Sequence, residues 1–435
     1  MRTERRGRPH ARLACALLAA AALAPAEDLR RLSEAIPDIA GRSAIPESAS
    51  TDERIASLEK LIAQNPKSVV WQNQLAAAYL QKVRETVDFG YLDRAERILN
   101  GVLVADDGNY EALRMREVVE LERHHFQTAA DLADAIAGLH PGDPWSYGIL
   151  GDASMEMGHY DRAAAAYRRM LILRPDQSSL NRASWYEFVA GRPQQAIALM
   201  KQAIEAGARS PENTAWCLVD LGNLYFKTGD IDQAARSYAQ AAQTFPGYHA
   251  AHAGLGRVRA ARGSYADAIA SYRKAQSSVP MPEYAAALDQ LYILSQQPEE
   301  ARKQRELIDF VDRMARLASE KTNRNLALVY ADEGRHLDRA LELVQEELKV
   351  RNDIYTHDAL AWVLFQRKDY VHAEESARIA LQLGTPEPAF YYHAGRIAAA
   401  LGKRDEARKL LSRALELNPK FDLRAAPIAA AALAN

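Results

Sequence analysis

Small and apolar residues recur at fixed places along the middle of the chain. One series runs Leu221-Gly222, Tyr225, Gly229, Ile231, Ala234, Tyr238, Ala241, Pro246. It returns as Leu255-Gly256, Arg259, Gly263, Tyr265, Ala268, Tyr272, Ala275, Pro280, each 34 positions later. Within a series the apolar residues fall three or four apart, which is the period of one buried helix face. The second glycine interrupts the run, and the proline ends it. Each series therefore predicts two amphipathic helices joined by a tight turn, with no strand.

The same series stands in residues 144–177 as Leu150-Gly151, Gly158, Tyr160, Ala163, Tyr167, Met170, Pro175, and in 388–421 as Ala394-Gly395, Gly402, Ala407, Leu411, Ala414, Pro419. On these residues the chain resembles the tetratricopeptide repeat (TPR) family. Glycine in a helix costs up to about 1 kcal/mol against alanine, so Gly151, Gly222, Gly256 and Gly395 predict close approach of the paired helix. Gly158, Gly229, Gly263 and Gly402 fit the left-handed residue that closes a first helix. Ala163, Ala196, Ala234, Ala268, Ala373 and Ala407 mark the crossing point on the second helix.

Weaker copies fill the gaps. Residues 177–210 carry Ser184 at the small site, 319–352 carry Leu326-Ala327, and 354–387 carry Leu360-Ala361. Residues 282–318 predict a prolonged second helix over 299–320, and 68–108 carry extra residues near 84–89. In 109–142, Arg116 and Glu117 stand where leucine and a small residue are expected. Either the helix register differs there, or the two form a partly buried ion pair. The expected fold is all-α, a right-handed α-α superhelical solenoid of about ten TPR-like helical hairpins. Its expected divisions are a signal peptide (1–26), a linker (27–50), divergent N-terminal helices with a first repeat (51–108) and a TPR array (109–281). Divergent units with a prolonged helix (282–352), a C-terminal TPR pair (353–421) and an Ala-rich tail (422–435) complete them. The tail is expected to form a short helix that packs on the last unit or serves as a contact site.

The N-terminus has a different pattern. Arg2, Arg5, Arg6, Arg8 and Arg12 precede the apolar run Leu13–Ala24, and Ala24-Pro25-Ala26 follows. A basic head, a short apolar segment and a small-x-small site describe an export signal cleaved after Ala26. The run is about twelve residues, short of the roughly twenty a membrane span needs. The chain is thus expected to be exported, periplasmic or secreted, without a stable span after cleavage; an uncleaved N-terminal anchor is the minor alternative. A short helix is read near 29–35, and Thr51 or Asp52 as the cap of a helix running to Ala63.

The formal net charge is −2, and removal of residues 1–26 leaves it near −6. No basic stripe survives, which argues against nucleic acid as the main partner. Of the two cysteines, Cys15 lies in the signal, so Cys217 is expected to be a small half-buried apolar residue. His124 and His125 are adjacent and point apart on a helix. No metal, phosphate-loop or dinucleotide motif is present, and no nucleophile has a placed base. No cofactor is expected, and the chain reads as a non-enzymatic scaffold.

The resemblance implies a concave wall lined by the first helix of each unit. Its positions are Trp145, Asp152 and Glu156; Asn181, Trp185 and Phe188; Trp216, Asn223 and Lys227; Arg257; and Tyr355, Asp358, Trp362, Tyr392 and Arg396. The partner-binding candidates are Trp145, Asp152, Asn181, Trp185, Trp216, Asn223, Lys227, Arg257, Tyr355, Trp362 and Arg396. Aromatics and arginines are the usual anchors of peptide contacts, although the tryptophans equally fit space between adjacent units. The two-lysine, two-asparagine carboxylate clamp of some TPR domains is not matched around Asn223 and Lys227. The expected partner is a protein or peptide held in the groove. The alternative is a structural component of a cell-envelope or polysaccharide-export assembly.

Overall fold

The computed structural model describes residues 45–46, 49–207, 210–317 and 323–434. The signal, the short helix near 29–35 and most of the linker lie outside the described residues. Among those described, 22 helices and no strands form the fold. Two compact units divide the chain: residues up to 83 with 88–112, and residues 84–87 with 113–435.

The first unit contains α1 (Thr51–Gln64), α2 (Val69–Thr86) as far as Val83, and α3 (Gly90–Ala105). The cap of α1 is Ser50, one residue before the predicted position. Its hydroxyl accepts the Glu53 N–H at 3.3 Å, and the Glu53 carboxylate accepts the Ser50 N–H at 2.8 Å. This reciprocal pair satisfies two donors that the first turn otherwise leaves open. The extra residues near 84–89 lengthen α2 and then turn through Val87, at φ 57°.

The array continues as α4 (Tyr110–Glu122), α5 (Phe126–Leu139), α6 (Trp145–Glu156), α7 (Tyr160–Leu173), α8 (Gln177–Val189), α9 (Pro193–Ala206), α10 (Pro211–Lys227) and α11 (Ile231–Thr244). It goes on through α12 (His249–Ala261), α13 (Tyr265–Ser278), α14 (Pro282–Leu294), α15 (Pro298–Leu317), α16 (Arg324–Glu333) and α17 (Leu337–Leu348). The last helices are α18 (Ile354–Gln366), α19 (Tyr370–Ala380), α20 (Pro388–Ala400), α21 (Arg404–Leu417) and α22 (Ala425–Ala434). Each even-numbered helix from α6 to α20 packs on the odd-numbered helix that follows it. Even-numbered helices also touch one another across neighbouring hairpins at α6–α8, α10–α12, α14–α16, α16–α18 and α18–α20, forming an inner layer.

The packing explains the small residues. A methyl on Gly151 would lie 2.2 Å from the Tyr167 ring, on Gly222 2.5 Å from Tyr238, on Gly256 2.6 Å from Tyr272, and on Gly395 2.8 Å from Leu411. A large side chain of the second helix thus lies flat on the first. Ser184 holds the equivalent place and is buried, its hydroxyl donating to the Ala196 carbonyl at 2.7 Å.

At the divergent 109–142 hairpin, Glu117 is fully buried at the small site and accepts the Ser146 hydroxyl at 2.7 Å. Arg116 pairs instead with Glu120, at 2.5 Å, so the Arg116–Glu117 ion pair does not form. The second Glu117 oxygen has no hydrogen-bond partner, and burial pushes this carboxyl up to about 7. A folded-state value above the unfolded one means that ionisation opposes folding, so stability is lost as pH rises from about 4.5 and the loss is complete above about 7. Glu117→Gln keeps an acceptor for Ser146 without the charge. It is expected to stabilise the protein at pH 8 by on the order of 1–3 kcal/mol and to change little at pH 5, as read from urea midpoints at the two pH values.

The second unit closes on itself. The Tyr160 hydroxyl accepts the Ile354 N–H at 2.9 Å, the Thr385 hydroxyl donates to the Val189 carbonyl at 2.5 Å, and the Asn418 amide donates to the Phe226 carbonyl at 2.7 Å. These contacts join residues 194, 196 and 192 apart, so each marks the same turn of the array. Two ion pairs flank them, Glu156–Arg351 at 2.5 Å and Lys227–Glu387 at 2.6 Å. A constant small rotation per repeat accumulates into curvature, and here it brings the α6–α7 turn, the end of α8 and the end of α10 against the start of α18, the segment before α20 and the residue after α21.

Candidate partner-binding groove

Closure turns the inner layer into the wall of a cavity of about 580 Å³. Helices α10, α12, α14, α16, α18 and α20 each contribute to it, and residues 421–428 line one side. Lys227, Arg257, Tyr355, Trp362 and Arg396, all predicted, lie on this wall with Asp358 and Tyr392.

The densest chemistry surrounds Trp362. Its buried indole stacks on Phe365, with centroids 4.8 Å apart, and on His393 at 4.2 Å. The indole N–H donates to Asp332 at 2.7 Å, and His393 Nδ1 lies 2.9 Å from Asp358. Asp332 is open to the cavity yet ringed by protein. That burial lifts its carboxyl to about 6, against the opposing pull of charge on His393. Burial works against charge on His393 as well, but the Asp358 carboxylate outweighs it and holds the imidazole above its ordinary value. The wall thus offers aromatic faces beside single ionisable or hydrogen-bonding groups.

A second cluster lies at the closure. Lys227 bridges to Glu387 and stands over the rings of Phe188 (5.1 Å), Tyr355 (5.6 Å) and Trp185 (5.7 Å). Trp185 and Tyr355 stack at 5.7 Å. The Tyr355 hydroxyl is buried with no hydrogen-bond partner.

The remaining predicted residues lie off the cavity wall, and their partners are local. Asp152 takes two guanidinium donors of Arg182, the shorter at 2.7 Å, and accepts the Tyr167 hydroxyl at 2.8 Å. Asn223 accepts the Tyr238 hydroxyl at 2.9 Å and the Arg257 guanidinium at 3.3 Å. Both stand one residue after the small site, where the flat-lying tyrosine ends, and so satisfy a buried phenol. Asn181 reaches the Cys217 sulfur at 3.9 Å, and Cys217 is buried with its thiol pushed up to about 12. Trp145 donates to the Arg114 carbonyl at 3.1 Å with the Arg114 guanidinium 4.6 Å over its ring, and Trp216 packs against the α8–α12 core. Trp185 stands beside the cavity in the closure stack.

Asp332, His393, Glu387, Phe226 and Phe365 are wall residues that sequence reasoning missed. Asp332 had a signal: it falls five positions after the small site Ala327, as Lys227 does after Gly222. Among the described residues, no three His, Cys, Asp or Glu side chains come together as metal ligands. No described helix is long and apolar enough to cross a membrane.

Stacked helical hairpins with an inner and an outer layer define a superhelical repeat protein. The chain is a tetratricopeptide-repeat protein: tetratricopeptide-repeat profiles match residues 146–180, 177–247, 219–281 and 388–421. Human protein O-mannosyl-transferase TMTC1 is 28% identical over 220 residues, covering 47% of this chain and 23% of that protein. This chain thus spans less than a quarter of that relative's length. Similar solved structures include the type IV pilus biogenesis factor PilW, 14% identical over 45% of this chain and 90% of that one, with a TM-score of 0.41. Pseudomonas aeruginosa PilF is 14% identical over 46% and 89%, with a TM-score of 0.41. A human IFIT1 dimer with PPP-AAAA is 15% identical over 84% and 87%, with a TM-score of 0.47.

Proposed function

We propose that this protein is a non-enzymatic interaction scaffold that holds a peptide or protein segment against the inner wall of its second unit. The observation that carries this reading is the cavity of about 580 Å³, in which consecutive repeats each place an aromatic or hydrogen-bonding side chain. Such a wall fits an extended segment, whose side chains and backbone polar groups alternate at short intervals. Good aromatic or arginine anchors cost about 2 kcal/mol or more when truncated. Arg257→Ala with Asp332→Ala in the full chain is therefore expected to lower partner capture from cell extract at least tenfold, with helical circular dichroism unchanged. Capture at the wild-type level by the folded variant would discard the reading.

The basic head, apolar run and Ala24-Pro25-Ala26 site support export with cleavage after Ala26. Terminal sequencing of the protein from the producing cell is expected to begin at Glu27, and a mature chain beginning at Met1 or Arg2 would remove this part.

A further inference from the structure

We propose that residues 418–428 are a built-in occupant of the groove. The partner segment then has the same chemistry: an aromatic side chain, a carboxylate next to it and a guanidinium two residues further on. This rests on the groove-binding reading above.

The path of the chain carries the argument. After α21 ends at Leu417, the fully buried Asn418 donates to the Phe226 carbonyl, and its own amide oxygen accepts the Lys420 N–H at 2.8 Å. The chain turns inward there. Phe421 places its ring 5.8 Å from Tyr392 and packs on the core built mainly by α16, α17, α18, α20 and α21, which also takes in Ala285 of α14 and Ile308 of α15. Leu423 packs on a different core, that of α12–α15, with Tyr272, Leu288 and Leu291. Asp422, Arg424 and Ile428 face the cavity. Side chains of one short segment thus engage separate repeats of the inner layer, as a bound peptide would.

Charge points the same way. On the wall, Lys227 is bridged to Glu387 and His393 to Asp358. Asp332 has the neutral Trp362 N–H, Arg257 has Asn223, and Arg396 has the Tyr392 hydroxyl. That leaves one anion, Asp332, and two cations, Arg257 and Arg396, so a segment carrying a cation and a carboxylate offers a partner to each sign. The occupant supplies both: the Arg424 charge acts favourably on Asp332 and Glu333, and the Asp422 charge favours the His393 imidazolium while opposing charge on Asp332.

The segment is built to leave. Its helix α22 is ten residues long, and its buried side chains are those of Ala426 and Ala429. Helices of that length are marginal alone, and alanine buries little area. Ile428 remains 40% exposed. Low local stability is the property of elements that move aside for a ligand. A partner meets an occupied groove, and its apparent affinity falls by the fraction of molecules with the segment displaced.

The test uses a labelled peptide of residues 417–428 and two full-length chains, wild type and a triple variant, Phe421→Ser, Leu423→Ser and Arg424→Ser. By fluorescence anisotropy the variant is expected to bind the peptide at least tenfold more tightly than wild type. Unlabelled peptide displaces the label, and a scrambled peptide does not. A folded variant that fails to bind the peptide, or that binds the scrambled one equally, overturns the proposal. If the variant loses its helical circular dichroism, hydrogen exchange on wild type decides. Amides of 428–434 should exchange at least a hundredfold faster than those of Leu411 and Ala414, and equal protection overturns the proposal. Peptide binding without any partner captured through Arg257 and Asp332 would sink the wider reading alone. Partner capture that the peptide does not compete would sink the occupant alone.

Discussion

Gly158→Ala and Gly229→Ala are expected to destabilise the second unit by about 2–5 kcal/mol each, whereas Gly263→Ala costs about 1–2 kcal/mol. All three glycines have positive φ, at 75°, 86° and 79°, so alanine meets the same left-handed strain in each. The surroundings differ. A methyl at Gly158 would lie 2.4 Å from the Asn352 carbonyl oxygen, and at Gly229 2.7 Å from that of Leu417. Nothing lies within 4 Å of the position at Gly263. Neither carbonyl can move alone, because each belongs to the backbone of a packed repeat. The closure must therefore part or the turn must shift. Urea unfolding gives the difference in midpoint, and small-angle scattering gives its cause, since parting the closure raises the radius of gyration in the first two variants only. Equal costs at all three sites would mean that the turns do not meet the C-terminal repeats.

Tyr238→Ala is expected to cost about 3–5 kcal/mol, the range for emptying a large buried aromatic site. Tyr238 has no exposed surface. Its ring lies between Gly222 and Gly254, where added methyls would stand 2.5 Å and 2.4 Å away. Two helices of successive hairpins therefore clamp one ring, and neither side can give way. Gly254→Ala is expected to approach the same cost by the opposite route, overpacking rather than emptying. Tyr238→Phe should cost only about 0.5–1.5 kcal/mol, because it removes the hydroxyl that Asn223 accepts but keeps the ring. The ordering Ala above Phe, with Gly254→Ala close to Tyr238→Ala, is checked by denaturant midpoints. A melt unaffected by Gly254→Ala would refute the clamp.

These two sites show where the sequence was sufficient. The 34-residue return of Leu-Gly, Gly, Ala, Tyr and Pro was legible because every hairpin solves the same local problem. A ring must lie on a residue without a side chain, and a helix must end in a left-handed turn. Both requirements fall within one unit and its neighbour, so they repeat with the unit. Ser184 and Glu117 were harder to read for the same reason. A small site can be filled by a polar group once a hydroxyl or carboxyl finds a local partner, as Ser184 does at Ala196 and Glu117 at Ser146.

The candidate groove was legible only in part. Positions one residue after the small site were read as groove-facing, and Arg257, Trp362 and Arg396 do line the cavity. Asp152 and Asn223 instead serve the phenols of Tyr167 and Tyr238, a contact between two helices that no single-helix pattern displays. Positions further along the helix, such as Lys227 and Asp332, do reach the cavity.

The sequence by itself determined the hairpins, their period and the residues each must keep small, because those constraints are short-ranged and repeat. Tertiary structure alone decided that Tyr160 meets Ile354, Val189 meets Thr385 and Phe226 meets Asn418. It also decided that residues 421–428 line the groove. Those contacts depend on curvature summed over many repeats, and a slight rotation in each leaves no mark on any one of them while fixing which distant turns come together.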